Sequence, residues 1–458
     1  MDQSKVDRSV LEPAYRWRFV ALMFLVCLFD FADRAVFAVL AQPIKEELLI
    51  TDFQIGLLQG LAFALLYSGL GLPIARIAER RSRKNIIAIC TAIWSAATTW
   101  CGFATGFVSL ALGRIGVGMG EAGFLPAVNS MVGDQVQKNR RASVMALIML
   151  GTPAGILTGS LVGGYVASIA SWREGFFALG IPGLLTALAV WFFIREPSRG
   201  LADGAKPERK PPPDFKAFLA TLKQKRALVF VILGGSTAGF GMTSISQFLA
   251  VFLARVHDLS ISEAATYYGL ISATFLTLGL LVGSFGTDFL AKRDARWPAW
   301  GAAIGLLIAP FVYFAAFQAE SLMLATVLLI VAGTMLLLFY APTSGMIQNL
   351  LPPRMRATGI ACFTLLYTLF GSGMGPAFVG FVSDRMSARA YDGEFFADCP
   401  GGVAPDNASA ALQSACEAAS ANGMQDALLV AVCIFFVASF FYWMASRTLR
   451  EDSFEAAE

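Results

Sequence analysis

Histidine is almost missing from this 458-residue chain. His257 stands alone beside Asp258, which leaves little room for a His-based metal centre or a catalytic triad. Charge is scarce as well. Only 15% of residues are Asp, Glu, Lys or Arg, against about a quarter in soluble chains, too few to coat the several globules this length would form in water. The charge that is present nearly cancels, at +3, so no basic surface for a phosphate backbone is expected and nucleic acid is not a partner. A membrane-embedded transferase would need a nucleophile–base pair or a metal cluster, and neither is visible. The chain does not read as an enzyme, and no cofactor or metal is implied. Met1 to Arg18 is polar, and the apolar run after it is too long for the core of a cleaved leader, so it reads as a first membrane span.

What the chain has in abundance is apolar mass: 56% hydrophobic residues, with 38 Phe and 43 Gly, and a mean hydropathy of +0.63. Crossing the hydrocarbon takes about 20 mostly apolar residues as a helix, because every backbone group must be paired within the segment. Such stretches are readable at 17–42, 52–78, 85–104, 107–133, 141–168 and 175–194. After a polar break come 227–255, 263–290, 297–317, 321–350, 355–383 and 425–446. The fold class expected is an all-α membrane protein of twelve transmembrane helices in two six-helix halves, 1–195 and 225–458. The stretch between, 196–224, is rich in Pro, Lys and Arg and reads as a tether.

Lys and Arg set the direction. With both termini inside, the inner segments hold 27 of the 35 and the outer segments five, so a multi-pass plasma-membrane protein with cytoplasmic ends is expected, in a bacterial inner membrane. Five cysteines (Cys27, Cys90, Cys101, Cys362, Cys433) fall in apolar spans, where a thiol packs as a small hydrophobe. Cys399 and Cys416 lie in the long outer loop 384–424, on the oxidising side, and are expected to form a disulfide.

The halves repeat one another at a spacing near 210–215 residues. Glu79 with Arg80, Arg83 and Lys84 closes the second span, as Asp288 with Lys292 and Arg293 closes the eighth. Arg141-Ala142-Ser143 after the fourth matches Arg356-Ala357-Thr358 after the tenth. Gly-rich runs Gly151–Gly164 and Gly371–Gly380 occupy the fifth and eleventh. Acids with basic neighbours on short inner loops can pair across helices and act as gates. The glycines let helices approach closely. The candidate gate set is therefore Glu79, Arg80, Arg83, Asp288, Arg293, Arg141 and Arg356.

Charges inside spans are costly and mark ion or substrate pathways. Asp33 and Arg34 lie about 22 Å into the first span at 1.5 Å per residue, and Arg114 lies at a similar level in the fourth, so Asp33 and Arg114 are placed to pair. Glu121 sits two turns further along the same helix face, and Gly116, Gly118 and Gly120 between them are expected to leave a passage for water or a head group. A carboxylate facing a guanidinium keeps its charge, whereas one facing an apolar cavity takes up a proton. Asp33 and Glu121 are thus the candidate proton-coupling pair, and Arg34 and Arg114 the candidate anion binders. The second half offers neutral groups instead (Thr243, Gln247, Tyr268, Tyr340, Gln348, Tyr367, Thr368) among phenylalanines such as Phe240, Phe275, Phe363 and Phe370. A cavity with one charged wall and one aromatic wall suits an amphipathic anionic or zwitterionic lipid, with Tyr268, Tyr340, Gln348 and Tyr367 as contacts. For any single Phe, a place facing membrane lipid is the simpler reading.

These motifs resemble the major facilitator superfamily over nearly the whole chain. Residues 30–126 resemble more narrowly its Spinster-like members: Asp33-Arg34, Gly56-Leu57-Leu58-Gln59, Glu79-Arg80-x-x-Arg83-Lys84 and Arg114-x-Gly116-x-Gly118-x-Gly120-Glu121-Ala122. Three positions depart from the pattern: Glu79 where an Asp is usual, Ala75 where a Gly is common, and Asp30 where an Asn is frequent. The resemblance implies a lysophospholipid or sphingoid phosphate as substrate, and with the buried charges the chain reads as an alternating-access secondary transporter, expected to be proton-coupled and functional as a monomer. A carrier of small organic anions or an exporter of hydrophobic drugs is the alternative within the same fold.

Overall fold

The computed structural model describes residues 12–78, 80–137, 140–199, 201–203, 215–352, 355–405 and 408–453. Helices account for all the regular structure among them, with no strand. Among the described residues, ten helices or helical runs are long and apolar enough to cross a membrane. Two more long helices, α1 (Pro13–Leu48) and α4 (Arg83–Cys101), fall outside that set because their sequences are more polar, with Asp30, Asp33 and Arg34 on the first and Arg83, Lys84, Thr91, Ser95 and Thr98 on the second. The twelve expected spans include these two.

The chain packs as two compact units, one of residues Met1–Leu40, Ala62–Lys210 and Ile261–Gly269, the other of Ala41–Leu61, Pro211–Ser260 and Leu270–Glu458. This partition cuts α1 near residue 40 rather than following the expected boundary at 195. The distal end of α1 and all of α2 (Asp52–Gln59) pack with C-terminal helices. Local chemistry explains the sharp reversal between them. Leu49 adopts a left-handed φ of 52° and the Ile50 amide donates to the Lys45 carbonyl at 3.2 Å, a Schellman-type close. Thr51 then opens α2 through a reciprocal capping box with Gln54.

In the first unit, α3 (Leu61–Ala78), α4, α5 (Phe107–Glu121), α6 (Phe124–Gln135), α7 (Arg141–Met149), α8 (Gly151–Ile169) and α9 (Trp172–Phe193) surround α1. The glycine run of α8 lies directly on α1. A β-carbon at Gly151, Gly155 or Gly159 would fall 2.7, 2.3 or 2.4 Å from a carbonyl oxygen of Phe24, Leu28 or Ala32. No side chain fits there, so the four-residue spacing of glycine brings the two backbones together.

The second unit is built on α10 (Phe215–Gln224), α11 (Arg226–Val256), most of α12 (Ile261–Leu281), α13 (Thr287–Ala291), α14 (Trp297–Phe317), α15 (Leu322–Leu337), α16 (Tyr340–Leu350), α17 (Arg356–Leu366), α18 (Met374–Ala390), a short α19 (Phe395–Asp398), α20 (Ala410–Val432) and α21 (Ile434–Thr448). A π-helical turn at Tyr367–Gly373 interrupts the eleventh span, and Thr243 of α11 donates to the Gly371 carbonyl at 3.1 Å, engaging a backbone group near the irregular turn.

Two expectations change. The last ten residues of the expected tether form α10, which buries Phe218. The start of the tether is tied down too, with the Arg199 guanidinium donating to the Ala78 carbonyl at 2.8 Å. The final span begins at Ala410, well before the apolar run at 425, because an alanine-rich polar stretch with Ser409 as N-cap extends the helix at its N-terminal end. Cys416 on this extension is joined in a disulfide to Cys399, just after α19.

The glycine stripe gives the first prediction. Gly155→Ala, which places a methyl on the Leu28 carbonyl, is expected to destabilise the protein by about 1–3 kcal/mol through overpacking. Gly69→Ala, with nothing within 4 Å of the added carbon, should be neutral or gain up to about 1 kcal/mol of helix propensity. Melting temperatures of the two variants in detergent would separate them.

Candidate functional site

The candidate coupling residues converge inside the first unit, on α1 and α5. Asp33 is buried and accepts two hydrogen bonds, from Thr98 Oγ1 of α4 at 2.6 Å and from Arg114 Nη1 of α5 at 3.2 Å. The next residue, Arg34, donates to Glu121 of α5 and lies 3.6 Å from Asp30 Oδ1. The two guanidinium groups share an aromatic wall. Arg34 stacks at 4.5 Å over Phe63 and 5.6 Å over Tyr67, both on α3, and Arg114 at 4.7 Å over Phe37. Such stacking offers a desolvated cation about 2 kcal/mol. Sequence reasoning missed these rings and Thr98. Their signal was position alone, since Phe63 and Tyr67 are spaced one helical turn apart on a helix known to carry no charge at that level.

The passage expected beside Gly116, Gly118 and Gly120 is not there. A β-carbon on Gly118 would fall 2.2 Å from the Phe63 carbonyl oxygen, and one on Gly120 would fall 2.6 Å from the Trp94 amide nitrogen. The glycines admit the backbones of α3 and α4 instead of water. Asp33, Arg114 and Glu121 are at most 3% exposed, and Arg34, with 29% of its side chain exposed, is the most exposed member of the cluster.

The other candidates scatter. Tyr268 is buried in the first unit. In the second, Tyr340 and Tyr367 meet edge-on at 6.3 Å, and Tyr367 donates weakly to Met242 sulfur at 3.8 Å. Gln348 is exposed. A cavity of about 360 Å³ in this unit is lined by Ser284, Thr287, Gly345, Asn349 and Ser453, among others, and by none of those tyrosines.

Of the gate set, Glu79 and the side chain of Asp288 lie outside the described residues. Arg83 is wholly buried within the first unit. It binds Asp134 of α6, Glu196 at 2.8 Å and the Pro197 carbonyl at 3.1 Å, fastening the start of α4 to α6 and to the stretch after α9. Arg141 and Arg356 behave as true counterparts. Each turns its Nε back to the carbonyl five residues earlier, Val136 at 2.9 Å and Leu351 at 3.3 Å, and so closes the loop before its helix. Arg80 and Arg293 are exposed, the latter over the Phe289 ring at 5.5 Å.

A second buried charge cluster, absent from the candidate set, sits in the second unit. Asp52 at the start of α2 receives a two-pronged contact from Arg255 of α11 (2.8 Å to each oxygen) and an ammonium contact from Lys45 at 2.8 Å. Asp384 of α18 caps the same helix start, accepting from the Asp52 and Phe53 amides at 3.0 and 2.9 Å, where the helix dipole favours an anion. Ser383 and Gln42 complete the shell at 2.7 Å each. These residues escaped notice because each looked like an ordinary span terminus, and only the fold brings them together.

Residues 22–389 match the Major Facilitator Superfamily. The chain belongs to this family. A Mycolicibacterium smegmatis protein described as an MFS-type efflux pump is 30% identical over 464 residues, spanning 100% of this chain and 98% of the relative. The sphingosine-1-phosphate transporter SPNS2 of Xenopus tropicalis is 26% identical over 398 residues, or 81% and 76% of the two chains. Among solved structures, a bacterial homolog of the human lysosomal transporter Spinster, in an inward-facing and unoccupied conformation, superposes with a TM-score of 0.86 at 32% identity, covering 97% of this chain and 100% of that one. This is a Spinster-like, multi-pass facilitator, a transporter and not an enzyme.

The Asp52 cluster generates the second prediction. Asp52→Ala takes from the buried Lys45 and Arg255 the carboxylate that both contact, and should cost about 3–5 kcal/mol. Hydrogen exchange should quicken first over residues 41–61, while the amides around Asp33 and Arg114 keep their protection.

Proposed function

We propose that the protein is a proton-coupled alternating-access transporter of an amphipathic lipid with an anionic or zwitterionic head, such as a lysophospholipid or a sphingoid phosphate. The observation that carries this reading is the setting of Arg34. It is the most exposed member of a buried charge cluster and is walled by Phe31, Phe63 and Tyr67. A forked cation suits a phosphate oxygen pair, and the rings beside it suit a chain. The sphingosine-1-phosphate transporters among the relatives support the substrate class.

In this reading the protons are carried by acids that also hold Arg34 and Arg114. When a phosphate draws Arg34 away, the acids facing it lose their counter-charge and take up one proton more than they hold beside Arg34. When Arg34 returns, that added proton leaves. Asp33 is linked to the same event through Arg114. The Asp52 cluster ties α2 to α11 and α18, and breaking and remaking it accompanies the change of access. The terminus-bearing ends face the cytoplasm of a bacterial inner membrane, supported by the distribution of Lys and Arg and by a disulfide at the opposite ends. One polypeptide suffices as the working unit.

A second reading, export of hydrophobic compounds, draws on the efflux-pump description of the mycobacterial relative. Carriage of small organic anions is a further member of the same fold repertoire. Purified protein in proteoliposomes with a lumenal pH dye decides among the three. The lipid reading expects saturable lysolipid flux that moves the dye signal, with Asp33→Asn abolishing the pH dependence. Arg34→Lys, which keeps the charge and loses the fork, should weaken lysolipid binding about tenfold or more. Flux of soluble anions or of a hydrophobic dye without lysolipid competition would select an alternative.

A further inference from the structure

The two buried clusters differ in their charge balance. The Asp52 cluster holds two acids, Asp52 and Asp384, and two bases, Lys45 and Arg255. The α1–α5 cluster holds three acids, Asp30, Asp33 and Glu121, and two bases, Arg34 and Arg114. Asp33 and Arg114 satisfy each other, with Thr98 supplying a further donor. That leaves Asp30 and Glu121 for one guanidinium, and both reach the same nitrogen, Arg34 Nη2. Two carboxyl oxygens that reach one nitrogen sit within a few ångströms of each other. Asp30 is 7% exposed and Glu121 3%. Asp30 Oδ1 and Glu121 Oε1 are both sealed from solvent without a hydrogen-bond partner.

A buried anion without a counter-charge or donor is expensive by several kcal/mol, and two carboxylates in contact cannot both stay ionised. The other titratable or charged groups facing the cluster among the described residues are Cys27 on α1, Tyr67 on α3, Cys101 on α4 and Arg114 on α5. None of them supplies a third positive charge.

We propose that Asp30 and Glu121 share a single proton beneath Arg34, so that this pair, not Asp33, is the loaded proton site in the arrangement described. The balance is simple. One proton enters from the exposed side of Arg34, one carboxyl becomes the acid and donates its O–H to the other carboxylate, and the pair keeps one negative charge against one guanidinium. Asp30 is thereby a proton-holding residue. The occupancy stands on the geometry alone, and its use in transport rests on the proton-coupled reading above.

Infrared spectroscopy of the purified protein at neutral pH tests it without any substrate. The wild type should show a deuterium-sensitive protonated-carboxyl stretch. Asp30→Asn and Glu121→Gln should each remove it, since the remaining acid then has Arg34 to itself, while Asp33→Asn keeps it. No band in the wild type, or a band lost in Asp33→Asn and kept in Asp30→Asn, overturns the proposal. Should Asp30→Asn fail to fold, the wild-type spectrum and Glu121→Gln still decide it. Proteoliposomes separate this from the coupling claim: a shared proton with pH-independent flux refutes the coupling and leaves the pair standing.

Discussion

The constraint on which the molecule turns is that a charge inside a membrane protein must meet its opposite within a few ångströms. Asp33 and Arg114 meet it across α1 and α5, and Thr98 adds a donor from α4. In a low-dielectric setting that contact is worth far more than on a surface, and so is its absence. It also fixes the register of the two helices. Shifting one past the other by a single turn would strand both ions, so the pairing selects one packing of the glycine-lined helices from many that apolar contact alone would tolerate.

Much of the architecture was readable in the chain because lipid imposes strong rules. The run of apolar segments, the Gly151–Gly164 run and the matching Arg141 and Arg356 loops follow from composition and spacing, and the structure gives the glycines and both arginines specific contacts. The pairing levels of Asp33 and Arg114 followed from counting residues along two helices. Counting could not reveal what fills the space between. Gly118 and Gly120 suggested room, yet the room belongs to the backbones of Phe63 and Trp94, because a missing side chain invites a neighbouring helix as readily as it invites water.

The Asp52 cluster was illegible for a different reason. Lys45, Asp52, Arg255 and Asp384 come from four segments with more than 300 residues between the first and the last, and each sits where a charged residue is unremarkable. Their association is a property of tertiary packing. Arg83 shows the same lesson inside the first unit. Sequence placed it in a basic loop, whereas the fold sinks it completely and gives it Asp134 and Glu196, so it acts as an anchor for the chain leaving α9.

The disulfide-linked segment between α18 and α20 reaches back to the end of α1. Gly401 packs against the Lys45 carbonyl and Leu49, and Gly402, held by Ser420 at 2.7 Å, lies over the Lys45 ammonium. A loop that roofs an ion cluster in this way has no slack to give. Insertions of tags or epitopes here would pull on Lys45 itself.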